Sequence, residues 1–250
     1  MNEWLDDLRT AVAFLTRLPI PHPLGSTPAN LARAYRVFPL VGAAIGGAVG
    51  LFCLGMRVIG VPELAAAALS LGAGALLTGA LHEDGLADVA DGFGGGRDPA
   101  AKLAIMRDSR LGTYGALALM VSFAVKLSAL AALPDAVVAQ SLIAAHALAR
   151  GVLPAMSMKL ADARQNGLAA NAGKPGSATV GFAGALALVI AVLSLSWIDA
   201  FGAALVAAVC AAGMAWLAQR QIGGQTGDVL GAAEQVCETA ILVLLAAWLA

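Results

Sequence analysis

The sequence predicts an all-α, polytopic helical membrane protein, with residues 1–250 as a single membrane domain. Three observations carry that class. Sixty per cent of the residues are hydrophobic and only 12% are charged, where a soluble domain has about a quarter charged. Mean hydropathy is +0.82. About seven apolar runs also reach bilayer-spanning length, roughly 17–25 residues.

The elements follow in order. Residues 7–18 place Leu8, Val12, Leu15 and Leu18 on one side, the pattern of a helix lying in the membrane interface. Pro19, Pro21 and Pro23 then break it. The start, from Asn2 to Asp7, is acidic and lacks the basic character of a cleavable signal peptide. Spans are expected at 37–60, 62–81, 113–133, 136–157, 178–197, 200–218 and 235–250, the last of them short. In the first span Gly42, Gly46 and Gly50 recur every four residues, which suits close helix packing inside the bundle.

Charge orients the spans. Twelve of the 15 basic residues fall in the N-terminal segment and the loops 82–112, 158–177 and 219–234. The other side has only Arg57, while Lys126 and Arg150 lie inside spans. Lys and Arg favour the cytoplasmic side, so the large loops are expected there. The net charge of −1 gives no reason to expect a nucleic-acid partner. Cys53, Cys210 and Cys237 stand far apart in apolar segments, with neither metal-site spacing nor a disulfide framework. No internal repeat is evident, which weakens a transporter built from duplicated halves.

The chemistry concentrates where polar residues interrupt this pattern. Asp84, Asp88 and Asp91 are offset by 0, +4 and +7, so a helix carries all three on one face. Three stacked anions repel one another, and a hard divalent cation is the simplest group to hold them together. His82 and Glu83 stand beside the stripe; His82 reads equally well as a ligand or as a hydrogen-bonded structural residue. Gly92, Gly94, Gly95 and Gly96 surround Phe93 and precede Arg97. They are expected either to offer backbone N–H groups to a phosphate or to form a linker.

Arg107 and Arg110 flank Asp108 at the mouth of the next span. Their guanidinium forks suit phosphate, and the alternative is an ion-paired juxtamembrane loop. Near the C-terminus, glycines 223, 224 and 227 allow a turn that presents Asp228 to the acidic stripe. Glu234 and Glu238 share a helix face. Glu238 lies in an apolar run where an unpaired carboxylate is costly, whereas the simplest expectation for Glu234 is exposure to solvent. Lys126, His146 and Arg150 sit inside spans; intramembrane cations mark a pathway or an anionic ligand, or else pair structurally with Glu238.

Taken together, these motifs resemble the cobalamin synthase family, the adenosylcobinamide-GDP ribazoletransferases of the cobamide pathway. The resemblance runs through residues 14–19 (FLTRLP), 38–42 (FPLVG), 78–88 (TGALHEDGLAD), 91–92 (DG), 105–115 (IMRDSRLGTYG) and 226–232 (TGDVLGA), in family order. It implies a Mg²⁺-dependent transferase of the bacterial inner membrane, multi-pass, with its active-site loops in the cytoplasm. Such an enzyme joins adenosylcobinamide-GDP to α-ribazole or its 5′-phosphate and releases GMP. Asp84, Asp88, Asp91 and Asp228 would be the catalytic, metal-holding residues, and Arg97, Arg107, Arg110 and Arg150 the phosphate-binding ones. His82, Glu83, Asp108, Lys126, Glu234 and Glu238 are secondary candidates. The expected partners are those small-molecule substrates and the lipid bilayer; the sequence leaves a homo-oligomer open.

Two other readings remain in view. CDP-alcohol phosphotransferases cluster acids similarly, but their motif carries a later Gly-x-x-x-Asp-x-x-x-Asp pattern that this chain lacks. A cation-coupled transporter would place its acids near the bilayer midplane on discontinuous helices, whereas most acids here fall at span ends.

Overall fold

A computed structural model describes residues 3–20, 28–164 and 173–250, and the described residues contain no strand. Pro21 and Pro23 of the expected break lie outside them. Helix α1 (Glu3–Leu15) precedes α2 (Pro28–Ala34), which runs through a 3-10 turn at Tyr35–Val37 into α3 (Phe38–Val58). There follow α4 (Glu63–Thr78), α5 (Leu81–Gly95), α6 (Pro99–Ile105), α7 (Thr113–Ala132), α8 (Asp135–Gly151) and α9 (Leu153–Lys159). After the segment 165–172 come α10 (Ser177–Ser194), α11 (Trp197–Ile222) and α12 (Gly227–Leu249).

Among the described residues six helical runs are long and apolar enough to cross a bilayer, and a seventh is counted if α4 and α5 form one span. Those two are bent by 92°. The bend sits at Gly79 (φ 68°) and Ala80 (φ 54°), both left-handed. Glycine takes that conformation without strain, and alanine adopts it at a cost of roughly 1–2 kcal/mol. It turns α5 out of line with α4 and lays it across α12. The expected 136–157 span is likewise two helices, α8 and α9, since Pro154 falls in the first turn of α9, where a missing N–H is tolerated.

The last helix differs most from expectation. It begins at Gly227 rather than near 235 and is 23 residues long. Thr226 caps it, its hydroxyl accepting from the Val229 amide at 3.2 Å. The polar first turns are buried against the bundle instead of emerging from it.

Close packing explains the glycine ladder of α3. A methyl group at Gly42, Gly46 or Gly50 would collide with the backbone of His146, Leu142 or Ala139 on α8. The two backbones therefore touch along their length, as small residues permit. On the far side of the bundle Arg57 donates to the Leu130 and Leu133 carbonyls at 2.8 and 2.9 Å and pairs with Asp135 at 2.7 Å. Arg57 thus satisfies the free carbonyls that end α7.

Helix α1 packs with Ala11 and Leu15 buried, and Leu8 and Val12 lie against the core. Its inner face also carries the fully buried Asp7, clamped by Arg33 at 2.8 Å and Arg36 at 2.6 Å. Arg36 in turn lies 3.6 Å over the Trp4 ring. An ion-paired clamp, as well as an apolar stripe, holds α1 over the start of α3.

Candidate active site at the crossing of α5 and α12

The two helices cross at Gly85 and Gly231. A Cβ added at Gly85 would lie 2.7 Å from the Asp228 carbonyl oxygen and 3.2 Å from the Gly231 Cα. One added at Gly231 would come within 3.3 Å of the His82 Cα. Glycine is required at 85 and eases the contact at 231, and the approach carries Asp228 to the acidic stripe of α5. Asp84 is exposed and Asp88 half-buried. Asp84, Asp228 and Asp91 all act electrostatically on Asp88.

Arg164 is the cation that meets this group. Its Nη2 donates to Asp228 Oδ2 at 2.8 Å. The loop bearing it is anchored to the start of α12: the Gln225 amide donates to the Ala161 carbonyl at 2.8 Å, and the Ala163 amide to the Gln225 carbonyl at 2.9 Å. Asp162 accepts from Lys174 at 2.8 Å and from Gln225 at 3.0 Å. Partial burial pushes the Asp162 carboxyl up, but these hydrogen bonds outweigh it and hold the group below its ordinary range. Sequence reading counted Arg164 only as loop charge. No local pattern marks it, because its partner is 64 residues away.

Asp91 has a different setting from its neighbours. Its two oxygens accept from the Gly112 amide at 2.7 Å and the Gly115 amide at 2.8 Å, at the N-terminus of α7. A side chain at either glycine would strike the carboxylate. Free N–H groups and the positive helix end both favour an anion there. Asp91 therefore binds α5 to α7, and the Gly112-Thr113-Tyr114-Gly115 motif is its receptor.

The glycine-rich stretch is corrected by the structure. Gly92–Gly95 belong to α5, and the Gly96 amide donates to the Gly92 carbonyl at 3.0 Å. Those N–H groups are used by the helix and do not cradle a phosphate. The glycines admit neighbours instead: Gly92 faces Met106, Gly94 the Tyr114 ring and Gly96 Lys102. Past this turn Arg97, Arg107 and Arg110 are exposed. Arg110 grips Asp108 through Nε at 3.0 Å and Nη2 at 2.5 Å, and these bonds hold the Asp108 carboxyl at about 2.

The other candidates form a second cluster, inside the bundle. Glu234 is completely buried rather than solvent-exposed. Arg150 Nη1 lies 2.5 Å from its Oε1, 2.9 Å from His146 Nδ1 and 3.8 Å from Glu238 Oε2. Lys126 Nζ donates to Gln235 at 2.7 Å and to Glu238 at 3.2 Å. His82 Nδ1 lies 3.5 Å from Glu234, and Gln235 reaches Glu83 at 3.4 Å. Arg150, expected to face a phosphate, is enclosed by these partners.

The donor sets differ in their fit to a metal. Ligand atoms of His146, Glu234 and Glu238 lie within 4.8 Å of one another, so this buried group has the geometry to hold one. Among the described residues the four aspartates are not gathered that tightly. Charge points the other way. Two carboxylates in the buried cluster already face Arg150 and Lys126, and a further divalent cation would add net charge to an apolar interior. At the α5–α12 crossing, Asp84, Asp88 and Asp228 act on one another with Arg164 paired to Asp228 alone, and all-oxygen ligands suit a hard cation such as Mg²⁺.

A cavity of about 130 Å³ opens beside this crossing. Its lining includes Asp84, Asp228 and Arg164 together with Phe14, Tyr35 and Phe38. His82 lies in its wall and also in that of a small cavity of about 20 Å³ next to the buried cluster.

The sequence model of the cobalamin-5-phosphate synthase family matches residues 7–246. An adenosylcobinamide-GDP ribazoletransferase of Bradyrhizobium diazoefficiens is 44% identical over 243 residues, covering 97% of this chain and 94% of its own. One of Sinorhizobium is 42% identical over 256 residues, 98% of each chain. A third, of Mesorhizobium japonicum, is 44% identical over 243 residues, 96% of this chain and 92% of its own. No solved structure matches. Since the match spans nearly the whole chain and every element of the site, the chain belongs to the cobalamin-5-phosphate synthase family.

Proposed function

We propose that this protein is an inner-membrane transferase that joins adenosylcobinamide-GDP to α-ribazole or its 5′-phosphate and releases GMP, its acidic loops facing the cytoplasm. The observation that carries the reading is the meeting of Asp84 and Asp88 with Asp228 at the glycine crossing of α5 and α12. Relatives named for this transfer match along nearly the full chain.

In the reaction a ribose hydroxyl oxygen of the acceptor attacks the phosphorus that bears the cobinamide. The new P–O bond forms as the P–O bond to GMP breaks, and GMP leaves with that electron pair. The hydroxyl proton passes to a basic oxygen at the site or to water. Such transfers depend on positioning and charge neutralisation more than on covalent catalysis. A Mg²⁺ ion bound at the site would neutralise developing charge on the phosphoryl oxygens. Asp84, Asp88 and Asp228 are the residues to hold it, and Asp91 is the fourth carboxylate, fixing α5 against α7. Arg164 orients Asp228 and offsets its charge. Arg97 and Arg107 offer exposed guanidinium groups to the substrate phosphates, where the fork geometry of arginine fits, and Arg110 offers only the Nη1 that Asp108 leaves free. Arg150 neutralises Glu234 and stays outside the phosphate set.

The test is reconstitution. Purified protein in proteoliposomes is given adenosylcobinamide-GDP and α-ribazole while Mg²⁺ is titrated, and GMP and corrinoid product are followed by mass spectrometry. Equimolar, Mg²⁺-dependent release of both is expected. No product at any Mg²⁺ concentration would sink the reading.

A further inference from the structure

We infer that the aromatic cavity beside Asp84 and Asp228 is the subsite for the flat heterocyclic base of the acceptor nucleoside; the inference rests on the proposed transfer. Its walls differ in character. Phe14 and Phe38 lie 5.9 Å apart with their rings nearly parallel, and Tyr35 meets Phe38 at 4.6 Å. Leu31 and Leu153 extend this apolar side. The Tyr35 hydroxyl is engaged by Ser157, so the aromatic wall offers no free polar group of its own. The lining also holds Asp84, Asp228 and Arg164.

A ligand that suits this lining has an aromatic body and a hydroxyl-bearing or phosphorylated end. A nucleoside meets that description, and the transfer involves two. The guanine of the leaving nucleotide carries a ring amide and an amino group, which would lose water where the base lies against Phe14 and the leucines. Stranded polar groups of that kind are strongly selected against. The base of ribazole is an alkylated benzimidazole with apolar edges, and it loses little. Size limits what enters. A closed cavity of about 150 Å³ takes one benzene ring; this one is about 130 Å³ and is lined by the exposed Asp84, so it takes one ring of the base and leaves the sugar outside, among the carboxylates. Stacking the base there sets the ribose hydroxyls at the residues proposed to hold the metal.

The test uses binding as well as turnover. Full-length protein in detergent micelles is titrated calorimetrically with α-ribazole, and separately with GMP, without Mg²⁺ or corrinoid. Two variants act on the apolar wall alone. Leu31→Trp fills the cavity, and Phe14→Leu removes a ring while keeping an apolar side chain; thermal melts confirm that each is folded. The expected result is saturable ribazole binding, weakened at least about tenfold by Leu31→Trp and severalfold by Phe14→Leu. In turnover the KM for ribazole should rise in parallel, with the KM for adenosylcobinamide-GDP within about twofold of wild type. If wild type turns over and both folded variants keep the wild-type ribazole KM and affinity, the subsite is refuted and the reaction stands. Loss of GMP binding in place of ribazole binding refutes it equally. If ribazole binds and the variants weaken it while no product ever forms, the subsite stands and the proposed reaction falls.

Discussion

Arg150 and Glu234 meet at 2.5 Å between α8 and α12, with side chains only 1% and 0% exposed. A guanidinium and a carboxylate taken this far from water stabilise one another only as a pair. Removing one partner strands the other. Arg150→Met or Glu234→Leu alone should therefore lower stability by about 3–5 kcal/mol, and the two together should recover most of it. Thermal unfolding in detergent micelles reads this directly. If the double variant is as unstable as the worse single one, Arg150 has another anchor, such as Glu238 at 3.8 Å.

Replacing Asp84 or Asp88 with Asn keeps shape and removes a negative charge from a repelling group. Activity should fall by at least about 100-fold, as when charge stabilisation is lost at other sites, while thermal stability is unchanged or raised. Asp91→Asn should behave differently. An amide oxygen can serve only one of the Gly112 and Gly115 N–H groups, leaving the other unpaired at about 1–3 kcal/mol. Stability and activity should drop together. Melting curves beside turnover separate the two patterns, and near-normal turnover of Asp88→Asn at saturating Mg²⁺ would remove it from the metal site.

That contrast also shows what a linear sequence can carry. The offsets of Asp84, Asp88 and Asp91 are local, so their common helical face was legible, as were the apolar runs and the packing role of Gly42, Gly46 and Gly50. The separate setting of Asp91 was not, because it depends on amides 21 and 24 residues away. Glu234 reads as polar and exposed until α8 brings Arg150 to it. Gly92–Gly95 read as a loop, since glycine is a poor helix former, yet Met106, Lys102 and Tyr114 fit where side chains are missing. Each misreading lies where a tertiary contact outweighed a local preference.

Acid should loosen the junction that holds Arg164. The Asp162 carboxyl sits below 3.8, its ordinary value. A group depressed in the folded state adds stability above its unfolded value and loses it as pH falls through the folded one. The junction between residues 161–163 and Gln225 is thus expected to be intact above about pH 4 and to weaken progressively below it. Hydrogen exchange at the Ala163 and Gln225 amides should report that, and Asp162→Asn should flatten the pH dependence. An unchanged acid profile in the Asn variant would assign the effect elsewhere.

Membrane orientation is open to direct labelling. Single cysteines at Arg97 or Arg110, both exposed in the segment between α5 and α7, are placed in a background lacking Cys53, Cys210 and Cys237. They should resist an impermeant thiol reagent in intact cells and react once the cells are opened, because basic residues favour the cytoplasmic side. A cysteine at Gly60, exposed in the turn after α3, should react in intact cells. The reverse pattern would move the acidic site to the other face and remove the proposed reaction from a cytoplasmic nucleotide supply.

Gly85→Ala is the most selective probe of the crossing, because it alters no charge and removes no ligand. The added methyl would sit 2.7 Å from the Asp228 carbonyl oxygen and 3.1 Å from its Cα. Both are backbone atoms, so relief requires α5 and α12 to move apart. Alanine is otherwise the better helix residue, by about 0.8–1.0 kcal/mol, which partly offsets the clash. Stability should therefore change little while Asp228 is displaced from Asp84 and Asp88. Misplacement of about 1 Å can lower a rate about 100-fold. The expected signature is a large fall in turnover, a higher Mg²⁺ requirement and a melting temperature close to wild type. Gly184→Ala is the control, since a Cβ there meets nothing within 4 Å. If Gly85→Ala keeps wild-type turnover and Mg²⁺ dependence, the spacing of α5 and α12 does not set the geometry of the carboxylates, and Asp228 would have to be dropped from the site.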